Sequence, residues 1–403
     1  MANLEIKLQE LNLLNRYADI KLPRFNSYLD AQDYKLRLAR EIKKKWVSFT
    51  PTVTNSSNKD LVLSNLNVHY KYQREGIYSS LGIDYYFGFK PDSQNEFTFT
   101  SSGQSANSSL LFALNRCFKL EITSASTIWY YESKLVLEAF SEDKNKTSKK
   151  ILFLDSSKSL DFTSLEEETE YDFAIIDTTC LAIGSEELGE LFQLADSLKK
   201  PIFFTRSHLK LDTLGTDYGN LGSICVFRSK LITDSNEELI VKRYLDYDPF
   251  FNLLVETGAI LGVGLSIDQF YPFLGDSQVN DLNLARVNRM KNNYDVFING
   301  MDVSSNECFI QETPHKLFFF VKYKYPVKMN AELFLKLNQA FQLNGKYCDS
   351  FGFDYMTHGN IIKYENGDDY TVVRITCPDY STEDVEKSIS LLNKYFKTLF
   401  SLN

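Results

Sequence analysis

The sequence predicts an α/β fold: a mainly parallel sheet covered on both faces by helices, followed by a small α+β domain at the C-terminus. Three observations lead there. Between about residues 95 and 245, short apolar runs such as "KKILFLDSS", "YDFAIID" and "PIFFT" lack in–out alternation, as strands buried on both faces should. The amphipathic segment "SEELGELFQLADSLKK" lies between two of these runs. After residue 245 the pattern changes to two long helical stretches, then to the strands and helices of a smaller unit.

Taken in order, the first 50 residues read as helical. "SYLDAQDYKLRLAREIKKKW" places apolar residues at helical spacing with acids ahead of bases. "TPTVTNSSNKD" is turn-rich and sets a boundary near residue 55. "EFTFTSSG" is a strand running into small residues, and "ANSSLLFALNRCF" is the helix after it. "TIWYYESKLVLEAF", "KKILFLDSS", "YDFAIIDTTC", "PIFFTRS" and "SICVFRSK" continue the series, the apolar part of the fourth ending at Thr205. "DPFFNLLVETGAILGVGLSIDQFYPFL" and "DLNLARVNRMKNNYDVFINGM" read as bridging helices. Then come a strand ("KLFFFVKYKY"), a helix ("NAELFLKLNQAFQL"), two strands ("IIKYE", "YTVVRITCP") and a last helix capped by Ser381 or Thr382, with acids in its first turn. The expected divisions are a helical arm (1–58), a large domain (59–250), linking helices (251–302) and a small C-terminal domain (303–403).

The totals narrow the function classes. With 403 residues, 43% of them hydrophobic, the chain can build a large core in more than one domain. A net charge of −9 disfavours nucleic acid and anionic membrane surfaces as partners. The six cysteines are scattered, with no C-x-x-C pair and no histidine cluster beside them, so no metal site is expected. Isolated thiols suit a reducing compartment. The opening "MANLEIKLQELNLLNRYADIKL" does not read as a secretory signal, and "LLVETGAILGVGLSIDQF" is too short and interrupted to span a bilayer. A cytoplasmic protein is expected.

In an open parallel sheet, ligands bind beyond the carboxyl ends of the strands. Several polar residues fall there. Ser101-Ser102-Gly103-Gln104 follows a strand and opens a helix, where free N–H groups attract phosphate; it is equally an ordinary strand-to-helix turn. Asp177 ends "YDFAIID", where it either caps the next segment or pairs with a cationic ligand group. Lys210 stands three residues after Ser207; read alone it is a solvated surface charge, whereas a partly desolvated lysine forms a Schiff base. Arg374 lies among apolar neighbours in "TVVRITC" and needs an anion, either a structural carboxylate or that of a substrate.

Together, in this order, these features resemble the fold type I pyridoxal-phosphate (PLP) enzymes, and within them the cystathionine synthase and lyase branch of Cys/Met metabolism. Tyr72-Gln73-Arg74-Glu75-Gly76 is similar to that family's Tyr-x-Arg followed by Gly, and Ser102-Gly103-Gln104-Ser105-Ala106 to its phosphate-holding Ser-Gly-Met-Ala turn. Tyr130 or Tyr131 stands where the family stacks an aromatic on the cofactor ring. Asp177-Thr178-Thr179 resembles its Asp-Asn-Thr, Ser207-His208-Leu209-Lys210 its Ser-x-Thr-Lys, and Arg374-Ile375-Thr376 its Arg-Ile-Ser; Ser350-Phe351-Gly352 matches an earlier Ser-Leu-Gly. The resemblance runs from about residue 70 to the end.

The resemblance implies pyridoxal 5'-phosphate as cofactor and an amino acid as substrate, handled through an external aldimine with elimination or replacement at Cβ or Cγ. Transamination and a catalytically silent relative are the alternatives. It implies Lys210 as the cofactor lysine and acid–base, Asp177 at the pyridine nitrogen, and Ser102, Gly103, Gln104, Thr179 and Ser207 in the cofactor site. It gives Arg374 and Ser350 to the substrate, and brings Tyr72 and Arg74 from a neighbouring subunit, hence a homodimer or tetramer with shared sites. The chain departs from the pattern at Leu209, which replaces a hydroxyl residue, at Gln104, and in lacking the family's Asn-Pro pairs. Those departures point towards an unusual amino acid in a specialised biosynthetic pathway.

Overall fold

The computed structural model of the chain describes residues 2–47, 61–63, 66–69, 78–79, 96–127, 131–140, 146–158, 160–167, 170–198, 200–209, 211–216, 221–227, 247–261, 273, 275–303, 308–324, 345–347, 356–365 and 368–400. The chain divides into two compact units: residues 8–282, and residues 283–403 with 1–7.

The larger unit opens with helices α1 (Ala2–Ala18, in this unit from Leu8) and α2 (Tyr28–Val47), then a small antiparallel sheet of β1 (Leu61–Leu63), β2 (Leu66–His69) and β3 (Tyr78–Ser79). The main sheet and its helices follow as β4 (Glu96–Thr100), α3 (Gly103–Cys117), β5 (Lys119–Ile122), α4 (Tyr131–Glu138), β6 (Ser148–Asp155), α5 (Ser164–Glu167), β7 (Phe173–Asp177), α6 (Glu186–Ser197), β8 (Ile202–Ser207), β9 (Gly222–Phe227) and α7 (Tyr247–Ile260). Its six strands lie in the order β4-β9-β8-β7-β6-β5. Strands β5 to β8 are parallel, whereas β9 is antiparallel to both β8 and β4.

The missing alternation has the expected cause. Successive side chains of a strand point to opposite faces, and here both faces are covered. Phe203 joins Leu110, Leu114, Phe153 and Ile175 in one core layer, while its neighbour Phe204 meets Phe192 of α6 and Phe227 with ring centroids at 4.9 and 5.4 Å. Burying each such Leu or Phe contributes about 1.5–3 kcal/mol. Helix α6 starts at Ser185, whose Oγ accepts from Leu188 N at 3.3 Å.

Two features differ from the sequence expectation. Strand β5 ("KLEI") carries charges and is half-exposed; an edge strand needs no continuous apolar run, so pattern alone misses it. Strand β8 continues past Thr205 through Arg206 and Ser207, because the Arg206 charge is neutralised inside the protein. Among the described residues between β8 and β9, residues 208–209 and 211–215 are turns, and β9 returns antiparallel to β8.

The smaller unit contains most of α8 (Ser277–Gly300), the strands β10 (Cys308–Gln311), β11 (Phe318–Tyr323), β12 (Gly345–Tyr347), β13 (Met356–Glu365) and β14 (Asp368–Thr376), and helix α9 (Thr382–Phe400). The sheet order is β10-β11-β14-β13-β12, antiparallel except for the β12–β13 pair. Helix α9 buries Val385, Ile389, Leu392 and Phe396, one stripe at helical spacing. Ser381 caps it, its Oγ accepting from Asp384 N at 3.1 Å. The stretches "TPTVTNSSNKD" and "NAELFLKLNQAFQL" lie outside the described residues. Among the described residues no helix is long and apolar enough to cross a membrane, and no group of three or more His, Cys, Asp or Glu is placed to hold a metal ion.

Candidate functional site

Strands β6, β7 and β8 finish side by side, with Asp155, Asp177 and Thr205 as register partners. Against this edge sits the start of α3. Thr100 Oγ1 donates to Ser102 O at 2.8 Å, and the extended Ser102 accepts from Ser105 N at 3.0 Å through its Oγ. The chain thereby turns straight from β4 into a helix whose first N–H groups, those of Gly103 and Gln104, have no intrahelical acceptor. Those donors and the helix dipole favour an anion.

Gly103 is required by contact. A Cβ built there would lie 2.6 Å from Ser207 Cβ and 3.0 Å from Ser207 Cα. Gly222, at the start of β9, is tighter still, since its Cβ would fall 2.1 Å from Ser102 O. Two glycines thus bring the Ser102–Gly103 turn, the end of β8 and the start of β9 into backbone contact. Thr179 extends the cluster: its Oγ1 accepts from Ser207 N at 3.0 Å, and its own N–H donates to Asp177 Oδ1 at 2.9 Å.

Asp177 is almost fully buried, and its other carboxylate oxygen accepts from Asn107 Nδ2 at 3.1 Å. Burial pushes its carboxyl above the usual range, although the bonds from Thr179 and Asn107 and the nearby Arg206 charge pull the other way. A cation placed against it would recover much of that cost. Gln104 turns its side chain aside: Ser133 donates to its Oε1 at 3.2 Å, and its Nε2 donates to Ser108 at 3.3 Å. Only its backbone faces the turn.

Ser102, Gly103, Gln104, Asp177, Thr179 and Ser207 are therefore brought together in the larger unit. Arg374 belongs to the smaller unit, on β14 between Phe320 and Gly359, with its guanidinium 5.7 Å from the Phe318 ring. Tyr72, Arg74, Tyr130, Lys210 and Ser350 lie outside the described residues; Tyr131 opens α4, its side chain also outside them.

Sequence reasoning missed the residues that support this edge. Asn107 stands four residues after Gly103, one helical turn on, a spacing that could have drawn attention to it. Gly222 had no local signal, because only the fold reveals what it touches. A buried network also escaped notice. Arg206 donates to Asp212 through Nε at 2.7 Å and Nη2 at 2.5 Å, and through Nη1 to Thr178 O at 2.6 Å and Leu181 O at 2.7 Å. His208 meets Asp212 through Nδ1 at 2.6 Å and Ser223 Oγ through Nε2 at 2.7 Å.

Burial raises the Asp212 carboxyl, but Arg206 and His208 outweigh it and hold the group below its ordinary value. Burial pushes His208 down, keeping the imidazole neutral. An ionised Asp212 only accepts, so Nδ1 carries the proton and Nε2 accepts from Ser223. This is a Ser–His–Asp chain in outline, yet all three residues are buried and Arg206 already neutralises the acid.

A mainly parallel sheet with an antiparallel return strand and covering helices gives the chain the fold seen in solved fold type I enzymes. Among solved structures it is similar to the apo methionine γ-lyase CalE6 of Micromonospora echinospora, with TM-score 0.54 and 13% identity over 85% of this chain and 92% of that one. It is also similar to cystathionine γ-synthase of Xanthomonas oryzae pv. oryzae. In complex with aminoacrylate and cysteine, that structure gives TM-score 0.51 and 13% identity over 87% of this chain and 94% of that one. In complex with cystathionine it gives 0.51 and 12% over 94% and 100%. No protein-family model and no curated protein matches the sequence. At such identities the likeness establishes the fold.

Proposed function

We propose that the chain is a PLP-dependent enzyme acting on an amino acid, with elimination or replacement at Cβ or Cγ as its reaction. The observation that carries this reading is the convergence of Gly103 on Ser207 beside the buried Asp177, joined to both by Thr179. That geometry fits the group. The first N–H groups of α3 and the Ser207 hydroxyl suit a phosphate, and Asp177 suits a protonated ring nitrogen. Bound there, pyridoxal phosphate supplies an electron sink for charge developing at the substrate's α-carbon.

The chain's own residues do the rest. The Ser102–Gly103 turn and Ser207 orient the phosphate end; Asp177, held by Asn107 and the Thr179 N–H, keeps the ring nitrogen protonated. Lys210, three residues beyond Ser207, anchors the cofactor and moves the α-proton. The motif order assigns the substrate carboxylate to Arg374, and Tyr72 and Arg74 to a neighbouring subunit's phosphate, which requires at least a homodimer.

The test is an absorption spectrum of purified protein supplied with pyridoxal phosphate. A visible band above about 400 nm, absent in Lys210→Ala, is the expected result; a protein that stays colourless would sink the proposal. Product analysis with candidate amino acids then reports the reaction: a keto acid with released ammonia marks elimination, a keto acid with pyridoxamine phosphate marks transamination.

A further inference from the structure

We infer that Arg206, His208, Asp212 and Ser223 form a positioning network for Lys210, fastening the segment that carries it to the ends of three strands. The inference rests on the reading of Lys210 given above. His208 and Asp212 stand two residues to either side of position 210 and are themselves joined, Nδ1 to Oδ2, at 2.6 Å. The residues flanking that position are thus tied to each other. It is then tied outwards in three directions.

Towards β8, Arg206 grips Asp212 with two parallel bonds of 2.7 and 2.5 Å, a planar fork that fixes angle as well as distance. Towards β7, the same guanidinium holds the carbonyls of Thr178 and Leu181, the chain that leaves Asp177. Towards β9, His208 reaches Ser223 Oγ through Nε2 at 2.7 Å, and its backbone N–H donates to Leu221 O at 2.9 Å. Ser223 follows Gly222, the residue packed on the Ser102–Gly103 peptide. One network therefore sets the residues on either side of position 210 relative to the other three contacts proposed for the cofactor: Asp177, Ser207 and the helix start.

A role in stability alone explains this poorly. A buried ion pair is seldom more stabilising than well-packed apolar residues of the same size. What directional bonds add is a single arrangement of the chains they join. An amine that must meet a ring-bound carbonyl gains from that arrangement, since small misplacements cost large factors in rate.

The test compares two ligands in the parent and in Arg206→Met/Asp212→Leu, which removes both charges together so that neither is left buried alone. Pyridoxamine 5'-phosphate carries the same ring and phosphate but cannot be captured by a lysine. Pyridoxal 5'-phosphate can, and borohydride followed by peptide mass spectrometry measures its capture on Lys210. The expected result is a folded variant, by circular dichroism, whose pyridoxamine phosphate affinity stays within about threefold while capture on Lys210 slows at least about tenfold. Equal losses for both ligands, or no loss for either, would overturn the inference. If the double variant does not fold, Ser223→Ala is read in the same way, with a smaller slowing of capture and unchanged pyridoxamine phosphate affinity; no selective slowing there also overturns it. Absence of any captured peptide in the parent instead refutes the proposed function itself.

Discussion

Gly103, the first residue of α3, and Gly189, inside α6, differ sharply in what surrounds them. A Cβ at 103 would press on the Ser207 backbone, which cannot move without displacing β8, whereas nothing lies within 4 Å of one at 189 on α6. Gly103→Ala is therefore expected to destabilise by about 1–3 kcal/mol through overpacking and to weaken pyridoxal phosphate binding at least about tenfold. Gly189→Ala should stabilise by about 0.5–1 kcal/mol, as helix propensity alone predicts. Thermal melts with cofactor titration check both, and equal behaviour of the two variants would contradict the contact argument. Asp177 and the Ser102–Gly103 turn drew attention because each ends an apolar strand, whereas Lys210, read alone a surface charge, was singled out only by the resemblance of the motifs taken together. Asn107 and Gly222 break no pattern, so their roles follow only from which atoms meet.

Helices α1 and α2 show the same contrast one level up. Their helical character is written in the spacing of Leu11, Leu14, Leu38 and Ile42, all buried. Their most consequential contact is polar. Lys35 on α2 is fully buried, 2.9 Å from Glu10 on α1, and also donates to the carbonyl of Leu214. Leu214 and Gly215 both take left-handed backbone angles, φ 52° and 72°, in the turns that follow the lysine segment. Removing one member of such a pair leaves its partner's buried charge less compensated, so Lys35→Met should cost up to about 3–5 kcal/mol, and adding Glu10→Leu should restore part of it. Urea unfolding of the single and double variants measures this; a single variant as stable as the double would refute the pairing. The sequence displayed both charges but not their partnership, because 25 residues separate them.

At the scale of the molecule, the buried network makes stability depend on pH with a definite sign. His208 is held below its ordinary value, so the unfolded chain binds the extra proton first, and stability is lost as pH falls below about 6.5. Asp212 is also held low, so its contribution is present above about pH 4 and is lost as pH falls through its lower folded value. Asp177 is raised and acts in reverse: its contribution is present below about pH 4 and is lost as pH rises through its folded value, a loss that a protonated ring nitrogen would offset. Denaturant midpoints measured across about pH 5–8 should fall towards acid in the parent and flatten in His208→Asn; a parent profile already flat would contradict a neutral buried His208. The sequence by itself determined the layered α/β architecture, because apolar periodicity is a local property that survives in one dimension. It also exposed Asp177, whose charge ends an apolar strand where burial makes it costly. Only the tertiary structure decided that β9 returns antiparallel, that Gly103 rests on Ser207, and that Arg206, Asp212, His208 and Ser223 close into one network. Those are contacts between segments, and only folding brings the segments together.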